Sequence, residues 1–243
     1  MPSPIAIDDN EIKLVIFDCD GVLVDSEYLS QRVIIEMLGR LDIHIDIPYF
    51  DAHFLGKSYA CVCARIALDF GITLPESFQA DYHNELMAVF GKELQSTPDL
   101  VTFLQLISVP FCVATSSSPQ RTEFALSTTG LLHWFQGYIS TALEVENGKP
   151  APDLFLLAAE KMGIAPENCL VIEDSGAGVQ AGMAAGMQTL RYVGAGHFAN
   201  KSADTLEQEL VDSEFSCVVP QVAHWREMVN FVPNILQNRS YHE

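Results

Sequence analysis

Short apolar runs recur along the chain, and a turn signal followed by a helical pattern comes after most of them. Strands that alternate with helical segments form parallel sheets joined by crossover helices. Some runs are apolar at every position, which indicates strands covered on both faces. The pattern therefore predicts an α/β fold with a doubly wound, mainly parallel, Rossmann-like sheet. The predicted strands are Leu14 to Phe17, Phe111 to Ala114, a short one at Tyr138 and Ile139, Cys169 to Ile172, and Met187 to Val193.

The region from about Glu27 to Leu94 has a different pattern. It contains no strand-like run, and its apolar residues recur at helical spacing, as in Val33 and Met37. An all-helical insertion therefore interrupts the α/β core after its first strand. We expect a discontinuous α/β core of residues 1–26 and 95–243, and a helical insertion of residues 27–94.

Two sequence pairs indicate where helices of the core begin. Thr97-Pro98 and Ser118-Pro119 each place a capping residue before a proline at the first helical position. Beyond Phe215, the residues from Cys217 to Val219 are an edge-strand candidate.

Composition and charge narrow the classes of function. Hydrophobic residues make up 49% of the chain, so it can bury a core and is not globally disordered. The net charge of −19 disfavours extended contact with nucleic acid or an anionic membrane, although one local anion site is compatible with it. No run reaches the ~18 apolar residues of a membrane span, and no secretory signal is evident at the start. We expect a cytoplasmic protein with neither nucleic acid nor membrane as partner.

Polar residues follow the predicted strands directly. In open α/β sheets, ligands bind outside the carboxyl ends of the strands, so these residues should converge on one crevice. A lysine in a Gly-Lys-Pro loop should join them. The set comprises Asp18, Cys19, Asp20 and Gly21 after the first strand, Thr115 and Ser116 after the second, Lys149, and Glu173 and Asp174 after Ile172.

Four carboxylates with only one lysine beside them would repel one another, and at least one would keep its proton, unless a divalent cation were present. Ligands that are all oxygen select a hard ion, and Mg²⁺ held by carboxylates, waters and a substrate phosphate is a common arrangement. Such a site suits phosphoryl transfer, in which a metal and a lysine neutralise the phosphate.

Four segments in order resemble the motifs of the haloacid dehalogenase-like hydrolases, over roughly residues 12 to 195. They are Phe17 to Ser26, Thr115, Gly148-Lys149-Pro150 and Glu173-Asp174-Ser175. Within that superfamily the chain resembles members with a helical cap inserted after the first strand, which implies a catalytic core of residues 1–26 and 95–243 and a helical cap of residues 27–94. These members include β-phosphoglucomutase and sugar-phosphate phosphatases such as 6-phosphogluconate phosphatase.

The resemblance implies a role for each motif residue. Asp18 would be the nucleophile that becomes an aspartyl-phosphate, and Asp20 would be the general acid and base. Lys149 would offset negative charge at both Asp18 and the phosphate. The implied phosphate ligands are Cys19, Gly21, Thr115, Ser116 and Lys149. The implied Mg²⁺ ligands are Asp18, Asp174, the backbone carbonyl of Asp20 and, directly or through water, Glu173.

The predicted cap contributes one candidate loop, which contains Gly56, Lys57 and Ser58. Gly56 would allow an unusual turn, and Lys57 would pair with a substrate phosphate or carboxylate or stay a solvated surface lysine. In the mutase an arginine is expected shortly after the corresponding glycine, whereas Tyr59 stands near that place here. The loop therefore counts against a mutase.

The function predicted from the sequence is a Mg²⁺-dependent phosphatase that acts on a small phosphorylated metabolite, a sugar or sugar-acid phosphate, through an aspartyl-phosphate. A phosphomutase shares every core residue and stays open, as does an inorganic pyrophosphatase. A non-catalytic receiver domain also combines acidic residues, a hydroxyl and a Lys-Pro. Receiver domains are about half this length and carry their aspartate on a middle strand, which disfavours that alternative.

Overall fold

The computed structural model describes residues 6–54, 59–199 and 219–237. The chain divides into two compact units: Met1–Asp25 together with Gln95–Glu243, and Ser26–Leu94. The first unit contains the sheet. The second is helical and contains no strand in its described residues. The assignment of these units to a catalytic core and a cap stays a prediction.

Among the residues just given, the sheet has six strands, and every neighbouring pair is parallel. The spatial order is β3-β2-β1-β4-β5-β6, so the predicted parallel α/β fold is confirmed. In register, Phe17 at the end of β1 lies beside Val113 and Ile172 of the flanking strands. The strands are β1 Leu14–Phe17, β2 Phe111–Thr115, β3 Ile139–Thr141, β4 Cys169–Glu173, β5 Gln188–Tyr192 and β6 Gln221–Val222.

Both faces of the sheet are covered, which explains why β1 is apolar at every position. On one face, Leu14 and Ile16 belong to a buried cluster with Leu154 and Phe155 of helix α8 (Asp153–Met162). On the other face, the ring of Phe17 meets Phe103, Phe135 and Trp225 edge to face, with centroids 6.0–6.4 Å apart. The other α-helices in the described part of this unit are α5 Leu100–Leu106, α6 Pro119–Thr128, α7 Leu132–Phe135 and α9 Gly176–Ala184.

The two predicted helix starts have different outcomes. Ser118 caps α6 as expected, because its hydroxyl accepts the Arg121 backbone N–H and Pro119 follows it. The start at Thr97-Pro98 is wrong, because α5 begins after Asp99, which has a left-handed φ of 63°. The Thr97 hydroxyl instead donates to the carbonyl of Val22 at 2.7 Å, so a long-range hydrogen bond replaces the local cap.

The described residues of the helical unit form the helices α1 Glu27–Gly39, α2 Ile47–His53, α3 Tyr59–Phe70 and α4 Phe78–Glu93. Val33 and Met37 of α1 are buried, as are Leu86 and Phe90 of α4, in agreement with the helical spacing of apolar residues. None of the helices in the described part of the chain is long and apolar enough to cross a membrane.

The edge strand near the end of the chain lies later than predicted. Cys217 falls outside the described residues, Val219 is buried without belonging to a strand, and β6 is Gln221–Val222. The pairing of β6 with Arg191 and Tyr192 of β5 fixes this position, which apolar character alone does not reveal.

Candidate active site

The carboxyl ends of β1 and β4 form the centre of the site. The chain runs from β1 outward to β2 and β3, and then returns to place β4 on the other side of β1. This reversal creates a switch point, where open α/β sheets bind their ligands. Asp18 continues the strand pairing beyond β1, because its N–H donates to the carbonyl of Ile172 at 2.9 Å. Asp18 is thereby held beside Glu173 and Asp174.

Three carboxylates meet at this edge of the sheet. One oxygen from each of Asp18, Glu173 and Asp174 lies within 4.8 Å of the others, and all three residues are buried. Burial raises the pKa of Asp18 well above its ordinary value; Lys149 opposes the rise, while the other two carboxylates add to it. Burial and then the charge of Glu173 likewise raise the pKa of Asp174. Without a cation, the cluster therefore resists full ionisation.

Lys149 supplies one positive charge within this cluster. Its Nζ donates to Asp18 Oδ1 at 2.5 Å, to Glu173 Oε1 at 2.8 Å and to the carbonyl of Ala114 at 3.0 Å. Burial alone would lower the pKa of Lys149, but the carboxylates of Asp18 and Glu173 outweigh burial and raise it. The ammonium group is therefore charged throughout the physiological pH range, and three acceptors fix its position.

Gly21 leaves space for the side chain of Asp174. It has φ +78°, and a Cβ there would lie 2.0 Å from Asp174 Oδ2. Its amide donates to the carbonyl of Val24 at 2.8 Å, within the turn that follows β1. The Gly21 N–H is thus engaged within the turn, and its predicted role as a phosphate ligand stays a prediction. In the structure Gly21 sets the turn and gives the Asp174 carboxylate room.

The donor set of this cluster fits a magnesium ion. All three side chains offer carboxylate oxygens, which hard divalent cations prefer, and the missing side chain of Gly21 allows the Asp174 carboxylate to lie in the cluster. A divalent cation would also offset the mutual repulsion that raises the pKa of Asp18 and Asp174. Asp18, Glu173 and Asp174 are therefore the residues that could hold Mg²⁺.

The side chain of Asp20 is held by two donors from the segment after β2. Ser117 Oγ donates to Asp20 Oδ2 at 2.5 Å, and Arg121 Nη2 donates to Asp20 Oδ1 at 2.9 Å. The Asp20 carboxylate is not part of the three-carboxylate cluster, so only its backbone carbonyl stays a predicted metal ligand. Sequence reasoning missed Ser117 and Arg121. The place of Ser117 just after β2, at the same edge of the sheet, was an available signal, whereas Arg121 lies further along the chain in α6.

The other predicted phosphate ligands lie at the ends of β1 and β2. Thr115 is buried, and its Oγ1 accepts the Ser117 backbone N–H at 3.1 Å, whereas Ser116 is exposed. Cys19 is buried, and burial raises the pKa of its thiol, which therefore stays protonated. The carbonyl of Cys19 accepts hydrogen bonds from the turn, including the Leu23 N–H at 2.9 Å. The predicted substrate residues Gly56, Lys57 and Ser58 lie outside the described residues.

Comparison with known proteins identifies the chain as a hydrolase. The model of the haloacid dehalogenase-like hydrolases matches residues 12–186, so the chain belongs to that family. The match spans both the end of β1 and the end of β4, which carry the acidic cluster. The family predicted from the ordered motifs is thereby confirmed.

Individual relatives agree with this assignment. The chain is 30% identical to 6-phosphogluconate phosphatase of Escherichia coli, over 75% of this chain and 83% of the relative. It is 33% identical to fructose-1-phosphate phosphatase of the same organism, over 72% and 94%. Among solved structures, a haloacid dehalogenase-like protein of unknown function from Agrobacterium tumefaciens superposes with a TM-score of 0.80 at 26% identity. That match covers 91% of this chain and 98% of the other. The two phosphatase relatives confirm the predicted enzyme class, a haloacid dehalogenase-like phosphatase.

Proposed function

We propose that this protein is a Mg²⁺-dependent phosphatase that hydrolyses a small phosphorylated metabolite, a sugar or sugar-acid phosphate. The observation that carries the proposal is the Lys149 ammonium group, bonded to Asp18 and Glu173 at the switch point of the sheet. The two Escherichia coli relatives are named for phosphate esters of a sugar acid and a sugar, which supports the substrate class.

In the proposed reaction, Asp18 is the nucleophile. One carboxylate oxygen of Asp18 attacks phosphorus, the bond between phosphorus and the ester oxygen breaks, and Asp20 gives its proton to the departing alkoxide. Asp20 then takes a proton from a water molecule, which attacks the aspartyl-phosphate. The bond between phosphorus and Asp18 breaks, inorganic phosphate leaves, and both aspartates return to their starting forms.

The surrounding residues hold the phosphoryl group and offset its charge. Lys149 is already placed at Asp18 Oδ1 and neutralises part of the charge of the transferring group. Thr115 and the amide of Ser116 would hold phosphate oxygens. Asp18, Asp174, the Asp20 carbonyl and, directly or through water, Glu173 would hold Mg²⁺. When bound, this ion supplies positive charge that stabilises the phosphoryl group during transfer.

The assignment of residues 1–26 and 95–243 as catalytic core, and of residues 27–94 as cap, belongs to the same proposal. All residues given a chemical role above lie in the unit that contains the sheet. We propose that the helical unit contributes substrate selection through Gly56, Lys57 and Ser58.

The experiment is a phosphate-release screen over sugar phosphates, sugar-acid phosphates and pyrophosphate, with and without Mg²⁺. The proposal predicts Mg²⁺-dependent release from at least one sugar or sugar-acid ester, and its loss in Asp18→Asn. Products are identified in the same assay. Isomerised sugar phosphate with little free phosphate would show a mutase, and release confined to pyrophosphate would show a pyrophosphatase. If Asp18→Asn turned over substrate at the full rate, Asp18 would not be the nucleophile.

A further inference from the structure

The segment that follows β5 reaches the carboxylate of Asp174. His197 lies in a short 3-10 helix, Gly196–Phe198, and its Nε2 is 3.3 Å from Asp174 Oδ2. The side chains of both residues are 8% exposed. The imidazole nitrogen is therefore in polar contact with the proposed metal ligand inside the protein.

Two further contacts fix where the His197 ring lies. The ring of Phe198 packs against it, with centroids 3.8 Å apart. The Gly196 N–H donates to both carboxylate oxygens of Asp25, at 3.0 and 3.1 Å. Because Asp25 follows the turn that begins at Cys19, these bonds tie the segment after β5 to the segment after β1. The position of the imidazole is thus fixed by the hydrogen bonds of the adjacent Gly196 backbone and by packing against the Phe198 ring.

Asp174 is also held through its backbone by the same part of the chain. Arg191 Nε, on β5, donates to the Asp174 carbonyl at 2.8 Å, and the guanidinium lies over the ring of Phe198, 5.3 Å from its centroid. Residues from β5 and the segment after it therefore contact both the main chain and the side chain of Asp174. A contact on one carboxylate oxygen restricts the rotation of the whole carboxylate.

We propose that His197 is a positioning residue for the metal site: its Nε2–H bonds to Asp174 Oδ2 and orients that carboxylate toward Mg²⁺. Metal-binding carboxylates are themselves hydrogen-bonded, and loss of such an outer partner weakens metal affinity by about 10- to 100-fold. The inference rests on the proposed function, since it assumes that Asp174 is a Mg²⁺ ligand. His197 lies outside the four ordered motifs that pointed to the other site residues.

Three substitutions separate the hydrogen bond from the packing of the ring. His197→Gln keeps an N–H donor of similar reach, His197→Phe keeps a flat ring without a donor, and His197→Ala removes both. His133→Ala is the matched control, because His133 is an exposed histidine on α7, and it should leave Mg²⁺ binding unchanged. Mg²⁺ affinity is measured by calorimetric titration of the purified protein, with thermal unfolding recorded in parallel.

The expected Mg²⁺ dissociation constants rise about 10- to 100-fold for His197→Phe and His197→Ala, and stay within about threefold of the unaltered protein for His197→Gln. At saturating Mg²⁺, kcat of His197→Phe should return to within a few-fold of the original value, because the residue acts through the metal ligand. Mg²⁺ affinity of His197→Phe equal to that of the unaltered protein would overturn the inference and leave His197 a packing residue. Failure of the unaltered protein to bind Mg²⁺ would refute the proposed metal dependence itself, and this inference with it.

Discussion

Lys149 and Arg32 both form ion pairs with two carboxylates, but their surroundings differ. The side chains of Lys149, Asp18 and Glu173 are 5%, 8% and 2% exposed in the sheet-containing unit. In the helical unit, Arg32 pairs with Glu93 at 2.8 Å, and these side chains are 31% and 45% exposed. Moving an ion from water into the protein interior costs several kcal/mol of folding free energy. An exposed ion pair loses little hydration and contributes little to stability. The charges at the sheet edge are therefore kept despite their cost, as expected where charge performs chemistry.

The largest expected effect comes from removing the buried cation. Lys149→Met should lower the free energy of unfolding by about 3–5 kcal/mol near neutral pH without divalent cations, because two buried carboxylates lose their partner. The raised pKa of Lys149 means that its contribution is present throughout this range. The loss should shrink near pH 5, since Asp18, whose pKa is raised, takes up a proton more readily. Urea unfolding at both pH values measures the difference.

Lys161→Met is the control for that prediction. Lys161 pairs with Glu144 at 2.5 Å, but both side chains are 40% exposed. The expected loss is below about 1 kcal/mol, since solvent screens an exposed pair. Equal losses for the two variants would contradict the contrast between buried and exposed charge.

The next effect concerns proton transfer. Asp20→Asn should slow turnover by about 10²- to 10⁴-fold, because an amide cannot give and take the proton. Mg²⁺ affinity should change little, because the Asp20 carboxylate bonds to Ser117 and Arg121 outside the three-carboxylate cluster. Steady-state kinetics and a Mg²⁺ titration test the two parts separately. A large loss of Mg²⁺ affinity would place this carboxylate in the metal site.

A smaller effect tests how much the repulsion among the three buried carboxylates lowers the free energy of unfolding. The pKa of Asp174 is raised in the folded state, so the stability linked to this group is present at low pH and is lost as pH rises through the folded pKa. Without divalent cations, Asp174→Asn should therefore stabilise the protein by about 1 kcal/mol near pH 8 and less near pH 5. Added Mg²⁺ should stabilise the original protein and not the variant. Thermal unfolding that shows the same Mg²⁺ shift in both would contradict the assignment.

The smallest effect belongs to the helical unit. Arg32→Gln should lower the free energy of unfolding by about 0.2–1 kcal/mol, and 1 M salt should reduce the difference further because the pair is partly exposed. Urea unfolding at low and high salt provides the measurement. A loss of stability as large as that expected for Lys149→Met would contradict the contrast between the buried and the exposed ion pairs.

The sequence predicted the parts of the fold that local pattern determines. The run Leu14 to Phe17 is a strand with those bounds, because burial on both faces demands apolar side chains throughout. Thr97-Pro98 was misread as a helix start because the Thr97 hydroxyl bonds to Val22, 75 residues away in the chain. Such a bond has no local signature.

In the candidate site too, the sequence predicted the residues that directly follow strands and missed residues that reach the site from further along the chain. Asp18, Glu173 and Asp174 were predictable together because all follow buried strands, and parallel strands end at one edge. Arg121 and His197 contact Asp20 and Asp174 from positions 101 and 23 residues further along the chain. Neither follows its strand directly, so only tertiary structure reveals them.

The most direct test of the central claim is to locate the phosphoryl group during turnover. The protein is mixed with an active sugar phosphate and Mg²⁺, the reaction is quenched in acid, and peptides are analysed by mass spectrometry. The account predicts a phosphoryl group on Asp18 that appears before free phosphate accumulates, and no label in Asp18→Asn. Phosphate release with the label on another residue, or with no label under any quench time, would contradict it.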